Sequence, residues 1–471
     1  MQLHEYAQYD AIGLRELIRT GEVTAGEVET AARQALAAMN AEVNGLALPV
    51  FTPALDHAED GPLAGVPFLI KDHGPVAKGV PFSLGSRSLP GVVPQHDTDL
   101  MARFRAAGLV TLGLTTVPEM CLSFATEPVR HGPARNPWDL DRGAGGSSGG
   151  AAALVAAGAV PLAHASDGAG SIRVPASCCG LVGLKPSRGR VPCGPDMGEA
   201  MLGMAYEFAL TRTVRDAACL LDAVHGPGVG DKYTAPPPHG RYADELRAEP
   251  GRLRVAVTTE AWSGSPVDEQ VAAWAIRTGH VLEEAGHGVS EAGPAVDWEA
   301  VMKAWVAEGV AISSTLLLAP RQPDPALMEA VTRRFLRTAR EYTGLDMMTA
   351  FAAQNRVTRS VSAFFTEYDL LVTPTLGHPP APHGTLRYDD PSYSVTGWLR
   401  SLADYGPFTV LFNVTGHPAI SLPLGRSDDG LPIGVQLVAP YGREDLLFRV
   451  AAHLERAMPW KDRTPPVFAG G

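Results

Sequence analysis

From Gly61 onward the chain is built of short apolar runs cut by Gly and Pro: "GVPFLIKD", "GLVTLGLT", "AVPLAHASD", "YDLLVTPT" and "PAISLPLG". Runs of this length, bounded by turn residues, read as strands. Between them lie Ala-rich stretches at helical spacing, such as Asp99 to Ala107 and Val214 to Val224. The alternation predicts an α/β fold, a sheet with helices on its faces. Residues 24 to 39 add a helix, with Thr24 and Glu27 as a capping box and Val28, Ala31, Ala32, Ala35, Leu36 and Met39 along one face. "RLRVAV" at 252 to 257 restarts a strand after a Pro, Gly and His-rich surface connection, 226 to 240. The segment that follows carries Trp262, Trp274, Trp298 and Trp305, which either pack the core or shape a pocket, with packing favoured. No repeat, heptad run or low-complexity tail stands out, so the 471 residues read as one unit.

A net charge of -12 and a pI near 5.6, with no cluster of Lys and Arg, argue against a nucleic-acid binder. Five cysteines, an odd number without metal-type pairs, fit a reducing cytoplasm. The start, "MQLHEYAQYD", lacks the features of a signal peptide, and no apolar run reaches the roughly 18 residues that span a bilayer. The longest candidate, Gly150 to Ala165, is broken by Pro161 and reads as a buried helix leading into a strand.

Three segments can carry chemistry. Lys71 ends the apolar run Val66 to Ile70 and is one of only six lysines among the 39 basic residues. Alone, it reads as a strand emerging into solvent. As a base it must be desolvated, because half-deprotonation at pH 7 from a pKa near 10.4 costs about 4 to 5 kcal/mol. The second segment is "GAGGSSGG", 143 to 150, before an Ala-rich helix. Alone it is a flexible loop, and its G-x-S-x-G around Ser147 meets the nucleophile-elbow pattern without a convincing strand before it. Phosphate-loop and dinucleotide spacings are absent. The third runs from His164 to Pro186, where Asp167, Gly168, Ala169 and Gly170 lead to Ser171. Small residues before a serine let consecutive N-H groups face one point, as an oxyanion hole requires, although a tight turn is the plainer reading.

Together the three resemble the amidase signature family in order and spacing. "GPLAGVPFLIKD", "GGSSGG" and "GAGSIRVPAS…CGLVGLKP" are similar to its lysine region, cis-serine loop and nucleophile loop, and Ser147 stands 24 positions before Ser171. Further similar blocks are "TEPVRHGPARNPWDLDR", "ALTRTVRDAACLLDAVHG", "YDLLVTPT" and "FNVTGHPAISLPLGRSDDGLPIGVQLVAPYGREDLL". Within the family, "VPASCCGLVGLKPSRGR", "QLVAPYGREDLL" and the Ala in Gly168, Ala169, Gly170 resemble the branch of 6-aminohexanoate cyclic dimer hydrolases.

The resemblance implies a large mixed twisted sheet with helices on both faces, as a single domain over 1–471. Its parts are a helical N-terminal region (1–60), a catalytic core (61–225), a variable substrate-shaping region (226–395) and C-terminal core strands and helix (396–471). It implies amide hydrolysis through a Ser171 acyl-enzyme, with Ser147, on a cis peptide bond, as proton shuttle and Lys71 as base. Gly168, Ala169, Gly170 and Ser171 would form the oxyanion hole, each N-H contributing about 3 to 4 kcal/mol, with Ser148, Asp167 and Arg173 in support. Many members carry two glycines before the nucleophile. Ala169 departs from that pattern and bears on substrate range. No cofactor or metal is implied, and the partner is a small-molecule amide, with a homodimer allowed and neither nucleic acid nor membrane. Alternatives are an amidotransferase A-type subunit, a biosynthetic acyl-transfer amidase, a silent binding protein, and a Ser-His-Asp site using His225, His378, His383 or His417. Lys185 matches a block without a base's setting, and Cys178 and Cys179 read as packing.

Overall fold

The computed structural model describes every residue except Pro75, Glu199, Pro320 and Arg321, and the side chain of Ala200. Its strands are β1 (Pro67–Lys71), β2 (Val110–Thr115), β3 (Arg135–Asn136), β4 (Asp139–Gly143), β5 (Leu162–Asp167), β6 (Val182–Lys185), β7 (Tyr206–Thr211), β8 (Arg254–Val257), β9 (Gly288–Glu291), β10 (Leu370–Pro374), β11 (Ala419–Arg426) and β12 (Pro432–Val438). Eight of them form one sheet in the order β5-β7-β6-β11-β12-β10-β8-β9. The pairs β8–β10 and β8–β9 are parallel and the other five antiparallel, so the sheet is mixed. Every residue of β5, β6, β7, β10 and β12 is buried, which requires cover on both faces. Helices Arg173–Cys179, Val214–Val224 and Glu269–Glu284 supply part of that cover.

β1 and β2 form a separate parallel pair, and β1 lies against β5. The backbone N-H of Lys71 donates to His164 Nδ1 of β5 at 3.4 Å. This placement buries Lys71, which would otherwise leave the strand into solvent. Helix Gly149–Ala156 is buried along its whole length. Its Gly and Ala side chains allow the close approach to β1, β5 and the Arg173–Cys179 helix that brings the three chemical segments together.

Most elements fall where the apolar pattern places them. Helix Val214–Val224 has the expected bounds, and the expected helix over 99–107 is Asp99–Ala106. The 24–39 helix has its Thr24 and Glu27 capping box but runs on to Val43, stopping at Asn44 in the left-handed conformation (φ 52°). Two expectations need correction, and a third resolves into both of its alternatives. The residues before Ser147 do form strand, β3 and β4, but as a two-stranded hairpin outside the main sheet. That hairpin does not make the sheet-borne elbow of an α/β-hydrolase. Helix Trp298–Leu318, 21 residues, is long and apolar enough to cross a bilayer, contrary to the sequence scan. Most of it is buried in the protein, packed against the helices Ala330–Glu341 and Gly344–Phe364, as a core helix is. Finally, the four tryptophans divide. Trp262 packs on Phe408 and Phe412, Trp274 on Gly425, and Trp298 against the main core, while Trp305 faces the site cavity.

Candidate active site

Lys71, the last residue of β1, is 0% exposed. Its Nζ lies 2.8 Å from Ser147 Oγ, 2.8 Å from Ser166 Oγ and 3.4 Å from the Ser166 carbonyl. Burial pushes the amine below its usual pKa, against the opposing pull of Cys121, Glu207 and Asp167. Burial also raises the Glu207 carboxyl to about 8, although Lys71 pulls it down, so at neutral pH Glu207 offers Lys71 little negative charge. Its partner His164, 2.7 Å away, is held well below the usual pKa by burial and by Lys71. Burial thus outweighs the nearby acids in favouring the neutral amine, the condition a lysine base needs.

Ser147 follows a cis peptide bond from Gly146, in the loop between β4 and the Gly149–Ala156 helix. Gly146 packs on the backbone of residues 123 to 125, where a Cβ would come within 2.8 Å of Phe124 C. Thr126 Oγ1 braces the loop, donating to the carbonyls of Gly145 (2.9 Å) and Ser147 (3.4 Å) and accepting from Gly149 N-H. Ser148 Oγ donates to the Ser166 carbonyl at 3.3 Å, in line with a supporting place.

Ser171 lies between β5 and the Arg173–Cys179 helix. Asp167 shapes this turn by accepting from the N-H groups of Ile172 and Arg173. Among the described residues, the N-H groups of Gly168, Ala169, Gly170 and Ser171 have no acceptor within the chain, an arrangement suited to a developing oxyanion. Gly170 has φ 147°, and a Cβ on it would meet Thr409 Oγ1 at 2.5 Å. Arg173 and Asp167 form a fully buried ion pair at 2.8 Å. Arg173 also donates to the Thr409 carbonyl, Gln436 Oε1 and Asn413 Oδ1. Burial alone would raise the Asp167 carboxyl, but Arg173 and Asn413 outweigh it and hold it at about 2.

Asp167→Asn is expected to destabilise the protein by about 3 to 5 kcal/mol, because it strands the Arg173 charge in the interior. The folded pKa of about 2 lies below the ordinary 3.8. The stabilisation from Asp167 is therefore present above about pH 4 and lost as pH falls through 2. Denaturant titrations at pH 7 and along this acid range check both statements, with the wild-type and variant curves converging as Asp167 protonates.

Ser147, Ser171, Gly168 and Ala169 all line one partly open cavity, whose other walls include Phe124, Trp305, Glu308, Ile312, Leu399 and Leu402. Ser147 and Ser171 share the cavity without a hydrogen bond between them, and Ser171 Oγ makes none within the chain among the described residues. None of His225, His378, His383 and His417 lines the cavity. The imidazole that does, His73, is pushed down to about 3 by burial and by Lys71. Burial raises the thiols of Cys178, to about 12, and Cys179, which suits packing. Ser166, Thr126, Asn413 and Glu308 are site residues that sequence reasoning missed. For Ser166 a signal existed: alternation along β5 puts it on the same face as His164, the face that meets Lys71.

A serine at the end of a run of amides without intrachain acceptors among the described residues, in one cavity with a second serine held by a buried amine, suits acyl transfer through a serine ester. The family profile described as Amidase matches residues 27–448. The 6-aminohexanoate-cyclic-dimer hydrolase of Paenarthrobacter ureafaciens is 39% identical, over 97% of this chain and 96% of its own. A solved structure of 6-aminohexanoate cyclic dimer hydrolase superposes with a TM-score of 0.90 at 38% identity, covering 98% of this chain and 99% of that one. A bacterial aryl acylamidase of the amidase signature family superposes with a TM-score of 0.81 at 25% identity, covering 96% of each chain. The chain belongs to the amidase family. It is a hydrolase of amide bonds with the amidase signature fold.

Proposed function

We propose that this protein cleaves the carbon-nitrogen bond of a small or medium-sized linear or cyclic amide, with Ser171 as nucleophile, Ser147 as proton shuttle and Lys71 as general base. The observation that carries this is the 2.8 Å contact between Lys71 Nζ and Ser147 Oγ, at the wall of the cavity onto which Ser171 opens. A neutral amine has two N-H donors and one lone pair. Ser166 Oγ and the Ser166 carbonyl take the donors, which leaves the lone pair for the Ser147 hydroxyl. Lys71 then takes the Ser147 proton while Ser147 takes that of Ser171, and Ser171 Oγ bonds to the amide carbon. Among the described residues Ser171 Oγ has no partner to hold it, so its hydroxyl is free to turn among its rotamers. The amides of 168 to 171 receive the oxyanion. Ser147 returns a proton to the departing amine, Lys71 resupplies Ser147, and water cleaves the ester by the same relay in reverse.

Phe124, Trp305, Ile312, Leu399 and Leu402 give the cavity the apolar walls that an alkyl or aryl chain needs. The names of the relatives, a cyclic dimer hydrolase and an aryl acylamidase, point to the same kind of substrate. A turnover panel tests the reading: the cyclic dimer and linear oligomers of 6-aminohexanoate, alkyl anilides and short primary amides. Amine release from at least one alkyl-chain amide is expected. No turnover across the panel, together with no labelling of Ser171 by a fluorophosphonate, contradicts the proposal.

A further inference from the structure

Glu308 projects from the Trp298–Leu318 helix into the cavity wall and is 1% exposed. Among the described residues, neither of its carboxyl oxygens has a hydrogen-bond partner. A buried polar group left unpaired costs about 1 to 3 kcal/mol, and its cavity-lining neighbours on the helix, Trp305, Gly309 and Ile312, show that the position does not call for polarity. The relay makes no use of this carboxyl. It stands beside the oxyanion loop, so close that a Cβ on Gly168 would meet Oε1 at 2.7 Å. Burial, reinforced by Asp167, raises its pKa well above the usual carboxylate range. One turn before it, Trp305 stacks with Phe124 at 6.3 Å between centroids, and one turn after it comes Ile312. On this helix a carboxyl thus stands between apolar lining residues, next to the reacting centre.

We infer that Glu308 is a specificity-determining residue that receives an N-H donor of the substrate, an ammonium or a second amide group, set apart from the scissile bond by a short apolar chain. The inference rests on the proposed hydrolysis at Ser171. It implies a substrate with two nitrogen functions, one cleaved and one recognised. A chain ending in a methyl group would enter the same cavity and leave Glu308 unpaired, which is how sites built for a hydrogen bond reject such analogues.

Three anilides of matched length separate the outcomes: 6-aminohexananilide, 6-acetamidohexananilide and heptananilide, each followed by aniline release. The wild type is expected to favour one of the two nitrogen-bearing anilides over heptananilide by about tenfold or more in kcat/KM. In Glu308→Leu that ratio falls to about one. Glu308→Gln retains an acceptor without the charge, so it keeps a preference for an amide N-H and loses one for an ammonium, which identifies the donor. A wild type that does not discriminate, or a Glu308→Leu ratio equal to that of the wild type in folded protein, overturns the inference. Should the wild type cleave none of the three, nor any amide of the wider panel, the hydrolase proposal falls and this one with it.

Discussion

Ser171→Ala is expected to lower kcat for amide hydrolysis by about 10⁴- to 10⁶-fold while the protein stays folded, because no ester can form and the remaining amides only polarise the carbonyl. The geometry makes the loss of chemistry separable from loss of structure. Among the described residues Ser171 Oγ has no intramolecular hydrogen bond to lose, and the turn around it is held by Asp167, Arg173 and Asn413. The melting temperature of the variant should therefore match that of the wild type. Substrate binding should persist, so that KM, where measurable, and inhibition by product-like amines change little.

Lys71→Ala is expected to cost about 10² to 10⁴ in kcat/KM at pH 7, the usual scale of a positioned general base. The wild-type pH profile should rise as Lys71 loses its proton, with the sign fixed by the mechanism: the protonated amine has no lone pair for Ser147. Since burial lowers this pKa from the ordinary 10.5, the active form is populated at lower pH than a free lysine would allow. In the variant that limb disappears. The same shift costs stability at neutral pH. Between the lowered folded pKa and 10.5 the unfolded chain holds a proton that the folded chain lacks, so stability rises with pH across that window. Lys71→Met removes this penalty and keeps the side-chain volume. It should be inactive yet more stable at pH 7, by an amount on the order of 1 kcal/mol.

β10 and β11 were legible because both faces of the main sheet are covered, so they read as largely apolar runs, and β1 reads the same way in its buried pair with β2. β9, "GVSE", lies at the sheet edge, is mostly exposed, and carries no such signal. The buried Trp298–Leu318 helix was obscured by Lys303 and Glu308, which interrupt its apolar character. The site divides in the same way. Lys71, Ser147 and Ser171 are weak signals singly, and each has a plainer reading; their order and the 24-residue step between the serines made them readable together. The residues that hold them were not readable. Thr126, Asn413 and Gln436 reach the site from segments far apart in sequence, and only the packing of the sheet against its helices brings them to Gly145, Asp167 and Arg173. Glu308 was hidden for a related reason, since a single acid on a helix ordinarily faces water.

The central claim is that the acyl group passes through Ser171. Mixing the protein with a cleavable anilide, quenching in acid within the first turnovers and mapping the peptides by mass spectrometry tests it directly. The account predicts the acyl mass on the peptide containing Ser171, absent in Ser171→Ala and enriched when hydrolysis of the ester is slowed by low pH. An acyl adduct on Cys121 or Ser147, or full turnover by Ser171→Ala, would contradict it.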